Sequence, residues 1–257
     1  MQNNTFFGIS QPSSLIVLDN VSSTNDYFKD LLTNFKPQLP FTAIMARNQT
    51  HGKGQRGNTW LSKPNETLTV SYLFCPKNIP PRDQFILTII SSLAVYETLK
   101  PFVNEHLAIK WPNDIMIKNK KVGGILIENK ISTNEIKHSI IGIGINTYTT
   151  EFANEIAHKS TSLKLENFDF NLTIIELARR IQKQLFYYNS QLEQEGPENL
   201  WKTYNAKLFR KDQLAKFTLE NKEIQGTIKG VDYDGKLILS IDNTINKYDL
   251  KDITYQL

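Results

Sequence analysis

Five short stretches carry residue types that could act on an anionic substrate. The most conspicuous is Gly52-Lys53-Gly54-Gln55-Arg56-Gly57-Asn58-Thr59-Trp60, three glycines interleaved with two cations. Glycine lets backbone N–H groups approach a ligand, and successive amides can form an anion-binding nest. The spacing matches G-x-G-x-x-G, but residues 58–64 do not read as a helix and no Lys-Ser/Thr pair ends the run, so neither a dinucleotide fingerprint nor a Walker loop is complete. Phosphate binding and a plain surface loop both remain open.

Lys110-Trp111-Pro112-Asn113-Asp114 puts a proline in a strand-like run, which implies an edge, bulge or turn where Asn113 and Asp114 can present polar groups. Lys121-Val122-Gly123-Gly124 follows, with an ammonium beside two glycines that would let a ligand lie close to the backbone. A solvated hairpin with a charged tip is the competing reading. In Gly142-Ile143-Gly144-Ile145-Asn146 the alternating glycines weaken a strand unless something packs on them, either another element or a ligand. Ser23-Thr24-Asn25 reads as a helix N-cap or as a source of polar ligand contacts.

The elements that must position these groups follow from periodicity. Strands are expected at Leu15–Leu18, Phe41–Arg47, Leu68–Phe74, His106–Lys110, Ile115–Ile117, Ile125–Glu128 and Ser139–Ile145, with a hairpin turn at Lys118-Asn119-Lys120. Helices are expected from Asn25, over Asp83–Leu99, and near 171–189 and 197–207. From Arg210 the pattern shifts to short strands, at Leu214–Leu219, Glu223–Val231, Lys236–Ile241 and Asn246–Asp249, with a tight turn at Asp234-Gly235. This reads as a small β-barrel, so the chain divides into residues 1–209 and 210–257.

Composition removes several classes. The single cysteine, Cys75, sits in an apolar run and reads as a small buried hydrophobe; it excludes a disulfide framework or a Cys-based zinc site. The four histidines show no metal-ligand spacing, and there is no Gly-x-Ser-x-Gly elbow. Net charge is +4, and the tail from Asn205 to Leu257 holds nine Lys/Arg against eight Asp/Glu, too balanced for a nucleic-acid module. No apolar stretch approaches about 18 residues, so no membrane span is expected. The N-terminal Met1–Thr5 lacks signal-peptide features, and a cytoplasmic location is expected.

Taken in order, Ser23–Asn25, Gly52–Trp60, Lys110–Asp114, Lys121–Gly124 and Gly142–Asn146 together resemble the biotin protein ligase family, over about residues 15 to 250. The resemblance implies an α+β fold: a mixed-sheet catalytic domain of the biotin/lipoate ligase type, class II synthetase-like, with a small C-terminal SH3-like β-barrel. It implies ATP-dependent activation of biotin to biotinyl-5′-AMP and transfer to a lysine of a biotin carboxyl carrier domain of a biotin-dependent carboxylase.

By resemblance, Lys121, Asp114 and Arg56 are catalytic. Ser23, Thr24, Asn25, Gln49, Gly52, Lys53, Gly54, Gln55, Lys121, Gly123 and Gly124 take biotin. Lys53, Arg56, Trp60, Asn113, Lys121 and Asn146 take ATP. Mg²⁺ enters with the triphosphate and needs no dedicated protein cage. Lys53 and Gln55 stand where the best-known bacterial pattern has arginines. Only 22 residues precede Ser23, without a helix-turn-helix pattern, so the expectation is the monofunctional type with no DNA partner, as a monomer or homodimer. The C-terminal barrel is expected to close one side of the nucleotide or carrier site. The rival readings are a lipoate or octanoate ligase or transferase of the same fold, which needs a longer apolar tunnel, and a non-catalytic binding module.

Overall fold

The computed structural model describes residues 14–34, 38–166 and 169–256; the N-terminal residues read above for a leader lie outside them. In chain order the first elements are β1 (Leu15–Val21), α1 (Thr24–Asn34), β2 (Ala43–Gln49), a two-residue hairpin of β3 (Gly52–Lys53) and β4 (Thr59–Trp60), and β5 (Thr67–Phe74). There follow α2 (Phe85–Val103), β6 (Leu107–Lys110), β7 (Asp114–Ile117), β8 (Lys120–Ser132) and β9 (Glu135–Asn146). Then come α3 (Asn154–Ala157), α4 (Ile174–Glu195) and α5 (Glu198–Ala206). The chain ends in β10 (Leu214–Leu219), β11 (Lys222–Val231), β12 (Leu237–Ile241), β13 (Thr244–Tyr248) and β14 (Ile253–Tyr255).

A seven-stranded sheet in the order β1-β2-β5-β9-β8-β7-β6 forms the centre. Only the β1–β2 pair is parallel, which makes the sheet mixed, as expected. Alternation along β5 assigns the two faces. Tyr72 reaches back to donate its hydroxyl to the Ala178 carbonyl of α4, while Ser71 points the other way, to Thr24 and Asn25 of α1. The helices α2 and α4 therefore cover one face, and the start of α1 sits over the other.

Helix α2 is apolar nearly all round because it packs on the sheet, α4 and α5 at once. By length and composition the span Pro81–His106 would suffice to cross a membrane, contrary to the sequence expectation. Its apolar window is 72% buried inside the protein, as befits a core helix. Helix α4 begins at a capping box in which Thr173 and Glu176 satisfy each other's backbone N–H groups.

The outer halves of β8 and β9 run several residues past the predicted strands. Their added residues, such as Asn129, Lys130 and Lys137, are polar and half-exposed or exposed, so no apolar run marks them. The tail holds five antiparallel strands, in the order β13-β12-β11-β10-β14, where four were expected. The unforeseen β14 has three residues and pairs with β10. The expected 209/210 boundary falls between α5 and β10, and one buried cluster runs through both parts, from Leu93 and Ile145 to Phe217 and Leu239.

Candidate active site

The groove lies on the α1 face of the central sheet and encloses about 330 Å³. Its floor is a cross-strand row. Thr69 of β5 faces Gly144 of β9, Gly144 faces Gly124 of β8, Gly124 faces Asp114 of β7, and Asp114 faces Lys110 of β6. Residues directly opposite one another in an antiparallel sheet point to the same face, so five strands deliver five adjacent positions to one surface.

Lys121 joins this row through an irregularity. The β7–β8 register shifts between Ile115 and Met116, so that Ile115 faces Gly123 but Met116 faces Lys121. Lys121 and Gly124 are an odd number of residues apart, and regular alternation would send them to opposite faces. The extra residue restores the common face. A Cβ on Gly124 would lie 3.2 Å from Lys121 Nζ.

The alternating glycines of β9 have a clear purpose. A Cβ on Gly142 would meet Asn25 Oδ1 at 2.5 Å, and one on Gly144 would collide with the Trp60 indole. Both glycines thus seat side chains that line the groove, which settles packing as their immediate role. Trp60 Nε1 is buried with no hydrogen-bond partner among the described residues, and Lys121 Nζ stands 5.6 Å from a Trp60 ring centroid.

At one end Thr24, Asn25, Gln49 and Ser71 are neutral, with the Glu128 carboxylate behind Asn25. The Thr24 backbone N–H donates to Gln49 Oε1 at 2.9 Å, and the Thr24 hydroxyl lies 3.2 Å from the same oxygen. Ser71 Oγ lies 2.6 Å from Asn25 Oδ1 and 2.7 Å from Thr24 Oγ1. Asn25 Nδ2 donates to Glu128. Ser23 Oγ accepts from the Asp26 N–H at 3.4 Å, so the helix-cap reading holds alongside the site reading.

At the other end the groups are ionic. Asp114 Oδ1 is 2.5 Å from Lys121 Nζ, and its Oδ2 is 2.9 Å from Lys110 Nζ. Burial alone would raise the Asp114 carboxyl. The Lys121 and Lys110 ammonium groups outweigh it and hold the carboxyl below its ordinary 3.8.

The loop between β3 and β4 spans the groove and is tied down on both sides. Lys53 Nζ pairs with Asp26 at 2.7 Å, and Arg56 Nη1 donates to the Leu250 carbonyl at 3.1 Å. Both cations line the groove with these partners in place.

Of the residues named from sequence, Ser23, Thr24, Asn25, Gln49, Lys53, Gly54, Gln55, Arg56, Trp60, Asn113, Asp114, Lys121 and Gly124 line the groove. Gly52, Gly123 and Asn146 do not. A Cβ on Gly52 would collide with the Trp60 carbonyl, and one on Gly123 would approach the Gly144 carbonyl at 2.9 Å, so both serve close strand packing. The Asn146 amide is buried and donates to the Thr161 carbonyl, outside the lining of this groove.

Sequence reasoning missed Thr69, Ser71, Leu250 and Tyr255, and it singled out the Lys110–Asp114 stretch without giving Lys110 a role. The first two had a readable signal: Thr67, Thr69 and Ser71 alternate with Leu68, Val70 and Tyr72, so one face of a strand buried on both sides is polar. Tyr255 and Leu250 come from the C-terminal part, whose wall beside the groove no local pattern marks.

A family model described as the biotin/lipoate A/B protein ligase family matches residues 17–146. The Bacillus subtilis bifunctional ligase/repressor BirA is 30% identical over 93% of this chain and 73% of its own length. The Mycobacterium tuberculosis biotin–[acetyl-CoA-carboxylase] ligase is 22% identical over 87% of this chain and 83% of its own. Among solved structures, the Aquifex aeolicus biotin protein ligase in complex with biotin and ATP superimposes with a TM-score of 0.78, at 26% identity, over 95% of this chain and 98% of the other.

Proposed function

The chain belongs to the biotin/lipoate A/B protein ligase family, and from this premise we propose how its groove performs the ATP-dependent activation of biotin and its transfer to a carrier lysine. The chain is a biotin–protein ligase, AMP-forming, with biotin and ATP as substrates. The observation that carries the reading is the meeting of a neutral polar end and an ammonium pair in one groove.

The ureido ring of biotin has two N–H donors and a carbonyl acceptor, which cost a few kcal/mol each if buried unpaired. Thr24, Asn25, Gln49 and Ser23 offer matching partners around it. The valeryl chain then runs past Asn25 and Trp60, the side chains seated on Gly142 and Gly144, toward Lys121. In the first step a biotin carboxylate oxygen attacks the α-phosphorus, the bond to the β-phosphate bridging oxygen breaks, and pyrophosphate leaves. Two anions must be brought together, and the Lys121 ammonium offsets their repulsion where charge crowds in the transition state. Asp114 aims Lys121. Trp60 packs beside the adenine, with Asn113 and Arg56 on the nucleotide side. Gly54, Gln55 and Lys53 of the loop cover the adenylate.

In the second step the amine of a carrier lysine attacks the mixed anhydride and AMP leaves. The acceptor is a biotin carboxyl carrier domain, and the cytoplasm is where such substrates meet. Magnesium belongs to the substrate, as MgATP. Among the described residues no group of three His, Cys, Asp or Glu side chains is placed to hold a metal.

The test is pyrophosphate exchange into ATP, driven in turn by biotin, lipoate and octanoate. Exchange with biotin is expected. Exchange with lipoate or octanoate and none with biotin would overturn the assignment of the neutral end.

A further inference from the structure

We propose that Lys110 is a second catalytic ammonium of the adenylation step, seated over the Tyr255 ring so as to receive the departing pyrophosphate. The proposal rests on the biotin ligase reading and adds a residue and a division of labour to it.

Lys110 ends the groove-floor row, directly opposite Asp114. Its side chain is 15% exposed, against 33% for Lys121. Among the described residues the two ammonium groups pair with the single Asp114 carboxylate, a surplus of one positive charge at this end of the groove. A lysine this enclosed loses much of its hydration, and a half-share of one carboxylate is poor compensation. An anionic ligand supplies the missing charge.

Geometry separates the two ammonium groups. Lys121 stands on β8 beside Gly124 and Trp60, the side to which the biotin ligase reading assigns the carboxylate and α-phosphate. Lys110 stands on the far side of Asp114, toward the C-terminal sheet. As the bond from the α-phosphorus to the bridging oxygen breaks, the electron pair and the developing charge go to pyrophosphate. A fixed cation on that side stabilises the leaving group where the charge appears.

Tyr255 is a positioning residue. Lys110 Nζ lies 5.1 Å from the centroid of its ring. The Tyr255 hydroxyl is buried without a hydrogen-bond partner among the described residues, so the ring is what the side chain offers Lys110. Tyr255 pairs with Phe217 across β14 and β10. The C-terminal sheet thereby reaches the reacting charges through Tyr255, Lys110 and Asp114.

The test compares the two half-reactions in the full chain. Biotin-dependent pyrophosphate exchange measures the first, and transfer from supplied biotinyl-5′-AMP to a carrier domain measures the second, in which no pyrophosphate leaves. Lys110→Met should lower exchange about a hundredfold, the usual cost of losing a preorganised charge, with a much smaller loss in transfer. Lys110→Arg should recover most of the exchange. Tyr255→Leu should raise the KM for MgATP, and Tyr255→Phe should restore it. Equal losses of Lys110→Met in both half-reactions, or exchange at the wild-type rate, overturn the proposal for Lys110. Equal impairment of Tyr255→Phe and Tyr255→Leu overturns the role of the ring. Wild-type protein without biotin-dependent exchange would instead refute the underlying function. Thermal melting of each variant separates a folding defect from these outcomes.

Discussion

At one end of the groove Thr24, Asn25, Gln49 and Ser71 hold one another through uncharged hydrogen bonds, whereas at the other Lys110, Asp114 and Lys121 hold one another by charge. The neutral end is built on a helix start, the end of β2 and the middle of β5. The ionic end is built on the end of β6, the start of β7 and a bulge in β8. A neutral network of fixed donors and acceptors suits recognition of a polar ring. An ion ladder with one charge left over suits a reaction that crowds anions. The difference teaches that the groove separates binding from chemistry along the strands of a single sheet.

The strongest way to break this comparison is to remove the central charge. Lys121→Ala should slow adenylate formation by about two orders of magnitude or more, read in single-turnover quenched reactions. A near-wild-type rate would remove Lys121 from the chemistry.

The next effect belongs to strand packing. Gly144→Val would drive a side chain into Trp60, and overpacking of this kind costs about 1–3 kcal/mol. A lowered melting temperature and weakened biotin and ATP binding are expected. An unchanged melting temperature would show that Trp60 is free to move aside.

At the neutral end, Gln49→Ala should weaken biotin binding by about tenfold, the worth of one or two neutral hydrogen bonds, with the rate at saturating biotin little altered. A collapse of that rate instead would show that the two ends are not separable.

The pH dependence sharpens the ionic end. The folded-state carboxyl of Asp114 lies below its ordinary 3.8. Its contribution to stability is therefore present above that value and lost as pH falls through the lowered one. Asp114→Asn should flatten the acid limb of the stability profile; an unchanged limb would remove Asp114 as its source.

The smallest effect concerns the strap. Lys53 and Arg56 are tied to Asp26 and Leu250, and both cations are exposed. Biotin should slow tryptic cleavage at Lys53 and Arg56 modestly, and raised salt should speed it. Equal cleavage with and without biotin would contradict closure of the strap on the ligand.

Much of this was readable beforehand. The main helices, most of the strands and the bend at Asn113-Asp114 follow from periodicity and from one proline, whereas the mixed sheet came only with the resemblance to biotin protein ligases. The bulge was not readable, because Lys121-Val122-Gly123-Gly124 contains no residue that demands a register shift. Without it, the strand would aim Lys121 and Gly124 to opposite faces. The outer halves of β8 and β9 were hidden because their residues are mostly polar and Ile131 and Ile136 stand alone among them. Tyr255 was hidden because a three-residue strand carries no period, and its value lies in a lysine 145 positions earlier. Asn146, expected from the resemblance to meet the nucleotide, instead donates its amide to the Thr161 carbonyl and lies outside the groove lining.

The separation of binding from chemistry is tested most directly by titrating biotin, with no nucleotide present, into Lys121→Ala in a calorimeter, and then adding MgATP. The account predicts that biotin still binds, more tightly than to Gln49→Ala, and that biotinyl-5′-AMP fails to accumulate. Loss of biotin binding, with adenylate forming at the wild-type rate once biotin saturates, would contradict it.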